Sequence, residues 1–267
     1  MARPHKPWNR VVYTLTMALA IIAVYSASSM AHFQMVLPSD DIIEENESNV
    51  VQLQLIFTHP AEASHTMNMD KPIEFGVYHK GKARDLTDTL EAFEFHGAKA
   101  WQTEFTARGA GDFVFYLRPS PYYESMEDSY ITQYAKVMVN NAGFPTDWDV
   151  EIGLEAEIVP LCKPYGLWTG NVFQGVVKQN GKAVPFAEIE VERLNADAFS
   201  SFAGLGQTYP SSAHVTQIIR ADGNGVFTYG IPKSGWWGFA ALMEGESIDG
   251  KDHEIGAVIW VKAYDME

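Results

Sequence analysis

The feature that most constrains the fold is a period-two alternation of apolar and polar residues that returns along most of the chain. It is seen at residues 50–57, 73–78 and 112–117. Because successive side chains of a strand point to opposite faces, this period is typical of half-buried β-strands. Helical periodicity is scarce, and we predict only one short helix, at residues 130–140. The pattern therefore predicts an all-β protein.

Glycine-containing turns separate these runs at short intervals. Asn180-Gly181 and Asp249-Gly250 are dipeptides typical of tight β-hairpins. Many short strands with turns at such spacing are typical of β-sandwiches. A break at residues 160–164 separates two sets of strands, so we predict two β-sandwich domains, residues 32–162 and residues 163–267. The second set resembles the small transthyretin-like or collagen-binding B-type sandwich.

The first 31 residues have the features of a secretory signal peptide. Three basic residues within the first ten precede an apolar run at residues 11–24, and Ser29-Met30-Ala31 is a small-x-small cleavage site. We predict that residues 1–31 are removed by cleavage after Ala31 and that the mature protein lies outside the cytoplasmic membrane. A cut before Met30 is the alternative.

Cleavage after Ala31 would make His32 the first residue of the mature chain. This residue would then carry a free α-amine and an imidazole. The two nitrogens can close a chelate ring on one metal ion, so processing would itself create half of a metal site. The alternative is that His32 is an arbitrary first residue.

Composition limits the classes of partner. The formal net charge is −15, which disfavours binding to nucleic acid and to anionic lipid and favours cations. Simple solubility also explains an acidic surface. Cys162 is the single cysteine, so no disulfide can form within the chain and the fold depends on its apolar core.

Motifs of enzymes are absent from the sequence. It contains no G-x-S-x-G, no H-E-x-x-H, no Walker loop and no dinucleotide-binding fingerprint. We therefore do not expect an enzyme.

Potential metal ligands are concentrated directly after the strand predicted at residues 50–57. They are His59, His65, Met67 and Met69. Imidazole suits Ni, Cu and Zn, and thioether sulfur suits soft ions. Together with the new N-terminus, we predict a metal site formed by His32, His59, His65 and Met67.

Other interpretations of this segment stay open. Met67 and Met69 have the spacing of one strand face and would then belong to the core, and His65 would then be solvated. His59, at the strand end, is the strongest candidate of the segment. His96 is the next candidate from elsewhere in the chain.

Several segments resemble a known family. They are Ala31-His32 with residues 33–39, the His59-Pro60 turn with Met67-x-Met69, and the stretches 164–171 and 235–242. These are similar to the soluble nickel-binding accessory component of energy-coupling-factor-type nickel/cobalt transporters. The resemblance covers most of the mature chain. It implies a periplasmic protein that captures Ni²⁺ and delivers it to the membrane permease of a nickel transporter.

The resemblance carries over residue by residue to two ligands, His32 and His59. Where the family pattern has Phe-Glu after His-Pro, this chain has Ala61-Glu62. His65 falls outside the pattern, so its assignment depends on its place in the loop alone.

Three other functions are compatible with the sequence. A periplasmic copper-binding protein could use the same N-terminal chelate, with Cu²⁺ as the bound ion, because Cu²⁺ binds most nitrogen-donor sites more tightly than Ni²⁺ does. A copper oxygenase acting on polysaccharide also uses an N-terminal histidine, but no aromatic binding strip is evident. A structural or adhesive β-sandwich without a metal is the last alternative.

Overall fold

The chain folds almost entirely into short extended segments. The computed structural model describes residues 32–62, 65–196 and 209–266. The predicted signal peptide, residues 1–31, lies outside these ranges. The strands are β1 Phe33–Pro38, β2 Ile42–Ile43, β3 Val50–Thr58, β4 Thr66–Met67, β5 Glu74–His79, β6 Lys82–Asp85, β7 Glu91–Phe95, β8 Ala98–Thr106, β9 Gly111–Arg118, β10 Tyr122–Glu124, β11 Ser129–Asn141, β12 Ala156–Pro160, β13 Leu167–Trp168, β14 Val172–Gln179, β15 Lys182–Ala183, β16 Glu188–Arg193, β17 Gln217–Arg220, β18 Val226–Gly230, β19 Gly235–Glu244 and β20 His253–Tyr264. Two short 3-10 helices lie at Thr87–Thr89 and Ser212–His214.

These strands form three sheets. The N-terminal sheet has the order β1-β3-β8-β7, with β4 paired to β3. The central sheet has eleven strands, in the order β17-β16-β19-β20-β11-β9-β5-β6, with β2 and β10 paired to β11 and β13 paired to β20. The C-terminal sheet has the order β12-β14-β15, with β18 paired to β14.

The central sheet packs against the other two sheets, one on each face. Along β20, Val258 and Trp260 belong to the core shared with the N-terminal sheet. Ala257, Ile259 and Val261 belong to the core shared with the C-terminal sheet. This alternation follows from the two-residue period of a strand. The all-β, sandwich-like fold predicted from the sequence is confirmed.

The two predicted sandwich regions share the central sheet. The predicted boundary between residues 162 and 163 lies between β12 and β13. β11, from the first half, runs parallel to β20, from the second, over the eight residue pairs from Tyr130↔His253 to Val137↔Trp260. The described residues belong to a single compact unit.

The short helix predicted at residues 130–140 is wrong, because this segment is the long strand β11, Ser129–Asn141. β11 lies between β9 and β20, and most of its side chains are buried on both faces. A strand buried on both faces lacks the polar–apolar alternation by which strands are recognised. Among the described residues, no helix is long and apolar enough to cross a membrane.

The turn predicted at Asn180-Gly181 is confirmed. The two residues have φ angles of 50° and 75°, and they connect β14 to β15 directly after the pair Gln179↔Lys182. Two successive residues with positive φ match the right-handed twist of the strands that they join.

A buried ion pair connects the central and C-terminal sheets. Lys136 Nζ on β11 lies 2.6 Å from Glu157 Oε1 on β12, and both side chains are 1% exposed. The Glu157 carboxylate also accepts hydrogen bonds from the backbone N–H groups of Ile152, Gly153 and Leu154, at 2.8, 2.8 and 3.1 Å. Burial lowers the pKa of Lys136, and the charge of Glu157 opposes this shift. Both charges are therefore compensated inside the protein.

Candidate metal centre

Strand register places His32 opposite His59. β1 and β3 are antiparallel, and their pairing begins at Phe33↔Thr58. His32 precedes Phe33 and His59 follows Thr58, so the two histidines form the next opposed position. Directly opposed residues of an antiparallel pair project from the same face of the sheet. The two imidazole centroids are 4.6 Å apart.

The short strand β4 brings His65 into the same row. β3 and β4 pair at Thr58↔Thr66, and the backbone N–H of His59 donates to the carbonyl of His65 at 3.2 Å. The centroids of these two rings are 6.1 Å apart. His32, His59 and His65 thus form a row across three adjacent strands, with His59 in the middle. We call this set the histidine row.

Met67 lies on the same face, two residues from His65 along the chain. It pairs with Phe57, is 2% exposed, and packs in a small cluster with Phe57, Ile131 and Tyr122. The structure therefore places Met67 beside the histidine row but within apolar contacts. Its role as a ligand stays a prediction.

Met69 occupies a different environment. It belongs to the core between the N-terminal and central sheets, and its sulfur accepts a hydrogen bond from Gln34 Nε2 at 3.5 Å. This arrangement agrees with the interpretation of Met69 as a core residue.

The side-chain amide of Gln133, on β11, holds the beginning of β1. Its oxygen accepts from the backbone N–H of Gln34 at 2.9 Å, and its nitrogen donates to the carbonyl of His32 at 2.7 Å. Trp260 Nε1 donates to the carbonyl of Gln34 at 3.0 Å. Gly256 leaves room for this amide, because a Cβ there would lie 2.6 Å from Gln133 Cγ. The His32 backbone is thus fixed on the side away from β3.

The loop after His59 is held by the central sheet. The Glu192 carboxylate, on β16, accepts from the backbone N–H of Ala61 at 3.0 Å. The backbone N–H of Asn195 donates to the carbonyl of Pro60 at 2.9 Å. At the other end of the loop, Thr58 Oγ1 donates to the carbonyl of His65 at 2.8 Å. Contacts at both ends therefore keep His59 and His65 in the row.

The environment of His59 and His32 favours the neutral form of their imidazoles. Burial lowers the pKa of His59 to about 4, and the neighbouring His32 and His65 act in the same direction. Burial also lowers the pKa of His32, although Glu124 and Glu127 oppose this shift. Since a metal ion binds the unprotonated imidazole, both rings are available as ligands at neutral pH.

One carboxylate lies next to the row. Glu124 Oε2, at the end of β10, is 3.6 Å from His32 Nε2. A carboxylate at this position can orient the imidazole of a metal ligand or add negative charge for a cation. Neither Glu124 nor Gln133 has a sequence motif that distinguishes it. They reach His32 only because β10 and β11 fold beside β1.

The low pKa of His59 gives the metal-free protein a defined pH dependence. Because the folded-state pKa, about 4, lies below the ordinary value of 6.5, the unfolded chain takes up the proton more readily. The stabilising contribution of His59 to the free energy of unfolding is therefore complete above pH 6.5 and falls as the pH drops towards 4. At about 1.4 kcal/mol per pH unit, His59 contributes up to about 3 kcal/mol to this fall.

We expect the free energy of unfolding of the natural protein, relative to that of His59→Gln, to fall as the pH drops from about 7 to about 4. Urea unfolding with EDTA between about pH 4 and pH 7 measures this dependence. Equal pH dependences for the variant and the natural protein would contradict a buried neutral ring at position 59.

The histidine row has to rearrange before it can hold an ion. Among the described residues, no three His, Cys, Asp or Glu side chains are already arranged to hold a metal. The proposed donors also include an amine at His32, which exists only after removal of Ala31. Imidazole nitrogens are suitable donors for a borderline ion such as Ni²⁺. Given the distances between the rings, the side chains must rotate before their nitrogens can bind a single ion.

The other candidate histidine is not part of this row. His96 lies in the turn between β7 and β8, has a φ of 49°, and stacks on Phe95 with centroids 4.3 Å apart.

Comparison with solved structures gives only remote likenesses. A bacterial ice-binding adhesin is 8% identical, with a TM-score of 0.25, over 87% of this chain and 65% of that one. An Escherichia coli alpha-2-macroglobulin is 10% identical, with a TM-score of 0.27, over 87% of this chain and 16% of that one. The Yersinia pseudotuberculosis adhesin InvE is 12% identical, with a TM-score of 0.23, over 85% of this chain and 58% of that one. This chain thus spans less than two thirds of each of these proteins.

Comparison at the sequence level identifies a family. No curated protein matches the chain. A family described as a domain of unknown function, DUF4198, matches residues 29–245. This range includes the histidine row and most of all three sheets. The chain therefore belongs to the DUF4198 family.

Proposed function

We propose that the mature protein binds Ni²⁺ outside the cytoplasmic membrane and delivers it to the membrane permease of a nickel transporter. The observation that carries the proposal is the histidine row, in which the predicted first residue of the mature chain lies opposite His59 and His59 lies beside His65. The segments quoted above that resemble a nickel-transport component support the choice of metal.

The electrostatic environment supports capture of a cation. The formal net charge of the whole chain is −15, and Glu124 lies beside His32. Negative potential raises the local concentration of divalent cations and increases their association rate. Because burial favours the neutral imidazoles of His32 and His59, these two rings do not repel the ion as it approaches.

Copper is the second candidate ion. Cu²⁺ binds most sites with nitrogen donors more tightly than Ni²⁺ does, so affinity measured in isolation does not identify the natural cargo. The protein should therefore be purified from its native envelope, and its mass and metal content measured together. We expect a chain that begins at His32 and contains nickel. A purified chain that begins at Met30 would have no free α-amine on His32 and would contradict the chelate. Copper in place of nickel in the purified protein would identify copper as the cargo.

A one-residue extension tests the N-terminal chelate directly. We expect a mature chain that begins Gly-His32 to bind Ni²⁺ at least tenfold more weakly than one that begins at His32, a loss of about 1.4 kcal/mol. The added residue converts the amine into a peptide nitrogen, which is not basic, and leaves the imidazole in place. Calorimetry at neutral pH measures both affinities.

The matched control for this comparison carries the same glycine after the C-terminal residue, and it should bind like the natural chain. Equal affinity of the Gly-His32 chain and the natural chain would show that the α-amine is not a ligand.

A further inference from the structure

A cleft opens between the N-terminal and central sheets, at an edge of the molecule. One wall comes from β5 and from β6, the last strand of the central sheet, and the other from the end of β8 and Arg108. Its volume is about 710 Å³. This volume lies within the range of about 300–1,000 Å³ that is usual for sites of small molecules.

Three cationic side chains line this cleft, Lys82, Arg84 and Arg108. All three are exposed, and among the described residues none of them has an ion-pair partner. Glu104 is the acidic residue of the lining, and it accepts a hydrogen bond from Gln52. In a chain with a net charge of −15, three cations and one carboxylate give this cleft a net positive charge.

The inner surface of the cleft is apolar and aromatic. Phe105 and Phe113 are buried and line it. The Arg84 guanidinium lies 4.8 Å from the centre of the Phe105 ring. The His79 ring stacks on Phe113, with centroids 4.1 Å apart and planes 3° from parallel. His79 and Arg84 therefore cover the two phenylalanine rings and themselves line the cleft.

The cleft is separate from the histidine row. Thr106, in its lining, pairs with Val50 at the first residue of β3, whereas His59 follows the last residue of β3. At about 3.3 Å per residue, the two sites are roughly 30 Å apart along this strand. A ligand in the cleft therefore does not compete with a metal at the row.

We propose that this cleft binds a small organic anion that carries two acidic groups on an aromatic or apolar body. The three unpaired cations can neutralise two negative charges, and arginine forms paired hydrogen bonds with carboxylate or phosphate groups. The flat His79 ring and the Arg84 guanidinium provide the surfaces on which the body of the ligand can stack. The overall negative charge of the protein disfavours nucleic acid as the occupant.

Binding of phthalate, an aromatic dicarboxylate, tests the proposal on the mature protein. We expect titration to shift amide NMR resonances of residues 77–84 and 104–113, and to leave those of residues 57–67 unchanged. Arg84→Gln and Arg108→Gln should each weaken phthalate binding at least fivefold. Lys182→Gln, which neutralises an exposed cation on β15, is the control and should bind phthalate like the natural protein.

Three further probes separate the components of recognition. Benzoate should bind more weakly than phthalate because it has one carboxylate, and inorganic phosphate should bind more weakly because it has no apolar body. Equal binding of inorganic phosphate and phthalate would overturn the proposal, as would the absence of any shift in the cleft. A hexaglutamate peptide that binds more tightly than phthalate, and whose binding is lost in both arginine variants, would identify the cleft as a surface for an acidic protein partner. That result would also overturn the proposal.

Discussion

Replacing His59 with alanine should lower the affinity of the mature protein for Ni²⁺ at least a hundredfold, a loss of about 2.7 kcal/mol. His59 is the middle member of the histidine row, with His32 on one side and His65 on the other. Its removal therefore takes away the central proposed ligand and leaves the other two histidines without an imidazole between them. Calorimetry with the chain that begins at His32 measures the effect.

Two comparisons make the His59 result specific. Met67→Leu should weaken Ni²⁺ binding less, because Met67 is packed against Phe57 and Ile131 in an apolar cluster. His96→Ala should leave binding unchanged, since His96 lies in the turn between β7 and β8. Wild-type affinity in the His59→Ala protein would place the site elsewhere, and His96 would then be the first residue to test.

Replacing Lys136 with methionine should lower the free energy of unfolding by about 3–5 kcal/mol. The variant leaves the Glu157 carboxylate buried without its counter-charge. The three backbone N–H groups that donate to Glu157 stabilise its charge only in part. Chemical denaturation at neutral pH, monitored by tryptophan fluorescence, measures the loss.

An exposed ion pair provides the control for this measurement. Arg220 Nη2 lies 3.1 Å from Glu188 Oε2, and the two side chains are 70% and 42% exposed. Arg220→Met should change stability by less than about 1 kcal/mol, because exposed pairs contribute little. If Lys136→Met and Arg220→Met have equal effects, the pair on β11 and β12 does not hold the two sheets together as inferred.

Much of the fold follows from local patterns in the sequence. The strand β3, Val50–Thr58, alternates between a buried and an exposed face over its first half, and the Asn180-Gly181 turn has the chemistry that its positive φ angles require. The strand β11 could not be recognised in this way. Both faces of β11 are covered by other sheets, and those sheets form from distant parts of the chain.

The candidate site shows the same division between local and distant information. His59 and His65 could be connected from the sequence, because they flank a short loop after a strand. The place of His32 depends on the register of β1 against β3, and the places of Gln133 and Glu124 depend on how the central sheet packs. No tight turn joins β1 to β3 in the described residues between them, so no local turn motif fixes their register.

The hydrogen bonds that fix β1 to the central sheet have a consequence for biosynthesis. Trp260 and Gln34, which are joined by a hydrogen bond, are 226 residues apart in sequence. During synthesis the segment with His32 is made long before β20. Contacts between such distant residues form late in folding. The backbone around His32 therefore gains its fixed position only after β20 has formed, so under the proposed function a partly synthesised chain would lack the assembled metal site.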